Sequence, residues 1–72
     1  MKKTINRKVY NTDNATEVKR VTVGFFGDPA GYEEVLYQTA KGEYFIYGAG
    51  GEASKYPGES IAVVDESEAQ AF

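Results

Sequence analysis

Two apolar, aromatic runs separated by a three-residue gap constrain this chain more than anything else in it. The first is Tyr32-Glu33-Glu34-Val35-Leu36-Tyr37-Gln38-Thr39, the second is Glu43-Tyr44-Phe45-Ile46-Tyr47, and Ala40-Lys41-Gly42 lies between them. Tyr, Phe, Ile and Val suit a pleated, half-buried surface. A three-residue hairpin loop wants a left-handed residue at its last position, where Gly42 stands. The spacing predicts a β-hairpin at the centre of a sheet, with Gly48 and the pair Gly50-Gly51 ending the second arm. Side chains alternate along a strand, so Val35 and Tyr37 face one way and Leu36 the other, while Phe45 and Tyr47 oppose Tyr44 and Ile46. Both faces are partly apolar, and each needs cover. One short helix covers one face. The other reads either as a tyrosine-rich contact surface or as ordinary exposed tyrosine on a small protein.

The flanking segments supply the remaining elements. Met1–Ile5 and Lys8–Tyr10 flank Asn6-Arg7, where a tight two-residue turn fits because Asn tolerates the left-handed region, although Arg suits the second position less well than Gly. The basic residues there guard a short, edge-like hairpin. Residues Asn11 to Thr16 read as a turn, or as one helical turn capped by Thr12. Glu17–Val23 reads as a strand with Val21 and Val23 on one face. Residues 24–31, with three glycines and a proline, read as a loop. Phe25 and Phe26 either fold under that loop to complete a core or wait exposed for a partner. After an irregular connector around Tyr56-Pro57, Glu59–Val64 reads as a last strand. Asp65 with Glu68 three residues later is a capping-box signal for a short C-terminal helix, too short to stand unless it docks. The fold expected is α+β: one domain over 1–72, an antiparallel sheet of four or five strands and a short C-terminal helix.

With 72 residues, the chain buries only about 60% of the surface its unfolded form exposes. It has no Cys and no His, so thiolate chemistry and the commonest general base and metal ligand are missing. Glu33 and Glu34 are adjacent and face opposite ways on a strand, so they do not act as a catalytic pair. Gly48-Ala49-Gly50-Gly51 lacks the Gly-Lys-Ser/Thr ending of a phosphate loop and reads as a structural turn. No apolar run approaches the roughly 20 residues of a membrane span. Lys2 and Lys3 are not followed by the apolar stretch of a signal peptide. These features point to a non-enzymatic, cytoplasmic protein with no cofactor, no metal and no membrane contact.

Charge is divided along the chain. Residues 1–20 carry a net +4 and residues 21–72 a net −7. Solvated surface charge accounts for this, and so does a steering surface for a charged partner. Arg7, Lys8, Lys19 and Arg20 with nearby aromatics allow a nucleic-acid edge, but the pI near 4.8 and the lack of a binding motif argue for a protein partner instead. Acidic residues imply a basic partner surface, such as the groove of a nucleic-acid-binding complex. The alternatives are a nucleic-acid-binding accessory protein using the N-terminal basic segment, or a structural module that forms a homodimer.

The motifs Ile5-Asn6-x-Lys8-x-Tyr10-Asn11-Thr12-x-x-Ala15-Thr16 and Tyr32-Glu33-Glu34-x-Leu36-Tyr37-x-Thr39-x-x-Gly42-Glu43-Tyr44-Phe45-Ile46-Tyr47-Gly48-x-Gly50-Gly51, with the step Ser54-Lys55-Tyr56, cover most of the chain. In them it resembles a family of small, mostly uncharacterised proteins of Gram-positive bacteria, their phages and mobile elements. Arg7 stands where that family has its turn Gly, and the closing segment lacks its common Trp. The resemblance implies mobile-element biology, where small acidic proteins often inhibit host defence, as anti-CRISPR proteins do. The contact residues expected for such an inhibitor are Asp28, Tyr32, Glu33, Glu34, Glu43 and Tyr44, with Glu52 at the rim.

Overall fold

The computed structural model describes residues 1–25 and 27–72. Among these described residues six strands and one helix follow in order: β1 (Lys2–Ile5), β2 (Lys8–Asn11), a 3-10 turn (Thr12–Asn14), β3 (Thr16–Val23), β4 (Tyr32–Gln38), β5 (Tyr44–Gly50), β6 (Gly58–Val64) and α1 (Glu66–Ala71). The antiparallel sheet and the C-terminal helix agree with the sequence reading. The strand count differs, because the six strands form two sheets: a four-stranded sheet ordered β3-β4-β5-β6 and a separate β1-β2 hairpin. The reason lies in the short N-terminal hairpin. It pairs within itself, Ile5 against Lys8 and Lys2 against Asn11, and its Tyr10 and Ile5 pack on the cluster around Phe45, so it lies across the larger sheet instead of extending it.

Local chemistry accounts for the turns. Asn6 and Arg7 both take positive φ, 52° and 67°, the two-residue turn whose twist matches paired strands. In the central hairpin, Gly42 takes φ 86°. Its amide donates to the Thr39 carbonyl at 2.9 Å, and the Thr39 amide donates to the Glu43 carbonyl at 2.8 Å. The loop is thus the expected Ala40-Lys41-Gly42. The 3-10 turn is capped by Asn11, not Thr12: the Asn11 side chain accepts from the Asp13 amide at 3.0 Å. Thr12 is engaged by the chain start, with Met1 donating from its ammonium to Thr12 Oγ1 at 2.8 Å. At the other end, Asp65 accepts from the Glu68 amide at 2.7 Å and the Glu68 side chain closes the capping box.

Both faces of the sheet receive cover. The register sets Val35 opposite Tyr47 and Tyr37 opposite Phe45, with Phe45 opposite Val63 and Tyr47 opposite Ile61. On this face Phe45 and Val35 are completely buried. The N-terminal hairpin lies over it: Tyr10 meets Phe45 edge-on at 5.6 Å, and Ile5 and Ala15 join the same cluster. Tyr37 stacks on Phe45 from the side at 5.3 Å. Burial of a large apolar side chain contributes about 2 kcal/mol, so Phe45 anchors the assembly. The opposite face carries Tyr32, Glu34 and Leu36 of β4 beside Ile46 and Gly48 of β5. Leu36 is buried there, as is Ala69 of α1. Lys19, the β3 partner of Leu36, bonds the Phe72 carbonyl at 2.8 Å, which ties the C-terminus to this face. The expected open, tyrosine-rich face is therefore not left open, because the basic N-terminal segment covers it.

Candidate functional site

Three of the seven expected contact residues are held by the chain's own side chains. Glu43, first residue after the hairpin loop, accepts from Lys8 Nζ at 2.8 Å and from the Tyr10 hydroxyl at 3.0 Å. These bonds, Lys8 foremost, hold its carboxyl below the usual carboxylate range, and the same pairing raises Lys8. Burial, then the bond to Glu43, pushes the Tyr10 phenol up. Glu33 on β4 lies opposite Thr22 and accepts from Arg20 Nη1 at 2.6 Å, while Glu17 takes Arg20 Nη2 at 2.8 Å. Arg20 is raised by this pair, Glu17 foremost. Glu34 points to the other face and accepts from the Tyr56 hydroxyl at 2.8 Å, with Lys55 at 3.5 Å. Its side chain is only 13% exposed.

The glycine-rich stretch explains why Tyr56 can reach Glu34. β5 runs through Gly48 to Gly50 and does not stop at Tyr47, a correction to the sequence reading. Gly48 is buried under the Tyr56 ring, and a Cβ there would collide with that ring; one on Gly50 would collide with Ser54 Oγ, and one on Gly51 with the Pro29 carbonyl. The absent side chains let residues 51–57 fold back over the strand. The Gly51 amide donates to the Gly31 carbonyl at 3.0 Å and the Ala53 amide to the Pro29 carbonyl at 2.9 Å. Tyr32 meets Tyr56 edge-on at 5.8 Å. Burial, with the bond to Glu34, pushes the Tyr56 phenol up to about 12. Tyr47, bonded to Glu59 at 2.9 Å, is likewise pushed up to about 12, mainly by burial. This stretch is thus strand through Gly50 and a close-packing device between strand and connector, not the structural turn the sequence suggests.

Four of the expected residues do come together. Asp28, Tyr32, Glu33 and Glu52 line an open trough of about 760 Å³ at the loop end of the sheet, with Val23, Phe25 and Pro29. Asp28 also shapes the loop by accepting from the Ala30 amide at 3.0 Å. Phe25 is 74% exposed, so it does not fold under the loop; Phe26 lies outside the described residues. Neither Asp28 nor Glu52 is paired to a cation among the described residues. Glu43 and Tyr44 lie at the other end of the hairpin, roughly 20 Å away along β4 at 3.3 Å per residue. Glu34 lies beneath Tyr56, which also packs on Tyr32, and does not line the trough. Sequence reasoning placed Phe25 in a loop but could not tell that the trough would form around it.

A second cavity of about 400 Å³ lies between the N-terminal hairpin and the central loop, lined by Arg7, Lys8, Tyr10, Asn14, Lys41 and Glu43 among others. Arg7 and Lys41 form no salt bridge among the described residues, although Lys41 lies near enough to Glu43 to help lower its carboxyl. Among those residues no group of three or more His, Cys, Asp or Glu is placed to hold a metal ion, and no helix is long and apolar enough to cross a membrane. No protein-family model, curated protein or solved structure matches the chain.

Proposed function

We propose that this chain works by binding a protein, and that it docks through the loop end of its sheet on a basic surface of a nucleic-acid-binding defence complex, such as a CRISPR-Cas effector, to inhibit it. The observation that carries the binding surface is the trough: an aromatic side chain, Phe25, held out in water beside Val23, Pro29 and Tyr32, with Asp28 and Glu52 at its rim and in no salt bridge among the described residues. Aromatic anchors ringed by polar residues are the usual make-up of an interface centre. Rim carboxylates would steer association with a basic partner. The choice of a defence complex rests on the mobile-element resemblance. Because Glu34 and Glu43 are bonded within the chain, the reading places contact on Phe25, Asp28, Tyr32 and Glu52, with Glu33 sharing its charge with Arg20.

Capture of purified CRISPR effector complexes by the immobilised chain tests this. The double variant Phe25→Ser, Glu52→Lys is expected to lose capture, and Glu43→Gln to keep it. Undiminished capture by the double variant would refute the surface, and absence of capture by the unaltered chain would refute the target. The second reading, a nucleic-acid-binding accessory protein, is favoured by Arg7 and Lys41 at the smaller cavity, neither of which forms a salt bridge among the described residues. A gel shift that weakens steeply with salt and disappears in Arg7→Ala, Lys41→Ala would decide for it.

A further inference from the structure

The four-stranded sheet has two outer edges, and they are built differently. β3 carries Glu17, Lys19 and Arg20 and breaks register between Glu17 and Lys19; charge and a bulge are the ordinary means of blocking an edge. β6, Gly-Glu-Ser-Ile-Ala-Val-Val over Gly58–Val64, has one charged residue near its start and no proline within. It pairs with β5 without a register break. No backbone group of β6 bonds to anything but β5 among the described residues. Ala62 and Val63 are exposed along it, Val63 by 43%. An edge of this kind is a template for another strand.

We infer that β6 pairs antiparallel with β6 of a second copy, joining two four-stranded sheets into one of eight strands. An antiparallel ladder is symmetric about a two-fold axis, so such an edge complements itself. Centred on Ile61, the register matches all seven residues: Gly58 with Val64, Glu59 with Val63, Ser60 with Ala62. No like charges then face each other. The two Glu59 side chains stand four residue steps apart along the ladder, roughly 13 Å, beyond the screening length of about 8 Å at physiological salt. The bulge and the charged run of β3 guard that edge, and β6 has neither, so β6 is the edge of this sheet open to self-association. Strand-to-strand contact buries less than a standard interface, so the dimer is weak.

Sedimentation equilibrium from about 10 μM to about 1 mM at physiological salt reads the mass directly. The expected result is a reversible rise from monomer to dimer. The register gives a charge test at an exposed position. Val63→Glu sets the introduced carboxylate of each copy against Glu59 of the other at two symmetric places and is expected to weaken the dimer roughly fivefold. Val63→Lys sets a cation against Glu59 instead and is expected to keep or tighten it. Far-ultraviolet circular dichroism checks that both variants fold. Monomer throughout the range overturns the proposal, as do equal effects of the two variants. So does protection of β6 amides that appears only on adding an effector complex, which would assign the edge to a foreign strand. Phe25→Ser lies on another surface and is expected to leave the dimer unchanged, so this test does not depend on the docking reading.

Discussion

Gly48→Ala is a one-methyl change that tests how the connector is held on the sheet. The added Cβ would enter the Tyr56 ring, which is packed edge-on against Tyr32 and anchored by its hydroxyl to Glu34. A ring body cannot give way as the tip of a lysine can. Either Tyr56 lifts, losing the bond to a carboxylate worth about 1.5–3 kcal/mol, or strand and connector separate, at the roughly 1–3 kcal/mol usual for overpacking. The expected loss is about 2–3 kcal/mol. For a domain of this size each kcal/mol moves Tm by about 4–8 °C, so thermal unfolding should fall by roughly 10–20 °C. The decisive comparison uses the Tyr56→Ala background, where the obstacle is gone. There Gly48→Ala should be neutral or slightly stabilising, since Gly in a strand interior costs about 0.5–1 kcal/mol relative to Ala. Additive losses in the double variant would refute the proposed collision.

Other outcomes follow from the same geometry. Arg7→Gly relieves a non-glycine residue from φ 67° and should raise stability by about 1 kcal/mol, read by urea unfolding. Glu43→Gln should destabilise the chain at neutral pH and lose that effect in acid. The folded carboxyl is held below its ordinary value of 4.5 by Lys8 and Tyr10, so its contribution is present above the unfolded pKa and is lost as pH falls through the folded one; the unfolding curves of both forms should draw together as pH falls below 4.5. Tyr47 and Tyr56, raised from 10 to about 12, contribute stability that is intact below pH 10 and lost as pH rises through 12. A spectrophotometric titration should show tyrosinate signal appearing late, together with unfolding, and Tyr56→Phe should remove part of that late signal.

What could be read from the residues was what short-range chemistry specifies. Gly42 and Asn6 mark their turns by backbone preference, with Arg7 following at positive φ against its own, and Asp65 with Glu68 marks the helix start. Alternation identified which side chains share a face. The unread part is long-range. Lys8 and Glu43 are 35 residues apart in sequence, and nothing in either segment says that one bridges to the other. That contact reverses the meaning of both: a basic edge and an acidic hairpin, each counted as free charge, neutralise one another while Tyr10 closes over Phe45. Gly weakens strands, so Gly48, Gly50 and Gly51 suggest a terminator. Here Gly48 and Gly50 continue the strand, because another segment packs where side chains would be. Phe25 was ambiguous for a related reason: in so short a chain, an aromatic residue in a loop serves as core or contact according to whether the faces are already filled. Tyr10 and α1 fill them.

The central claim is that the loop end of the sheet meets a protein partner while the paired carboxylates of the hairpin serve the fold. Hydrogen exchange of the chain, free and mixed with a captured effector complex, measures this along the whole backbone. The account predicts slowed exchange confined to residues 22–33 and 49–52, with the Lys8–Glu43 region unchanged. Protection centred on the N-terminal hairpin and Lys41, with residues 22–33 exchanging as in the free chain, would contradict it.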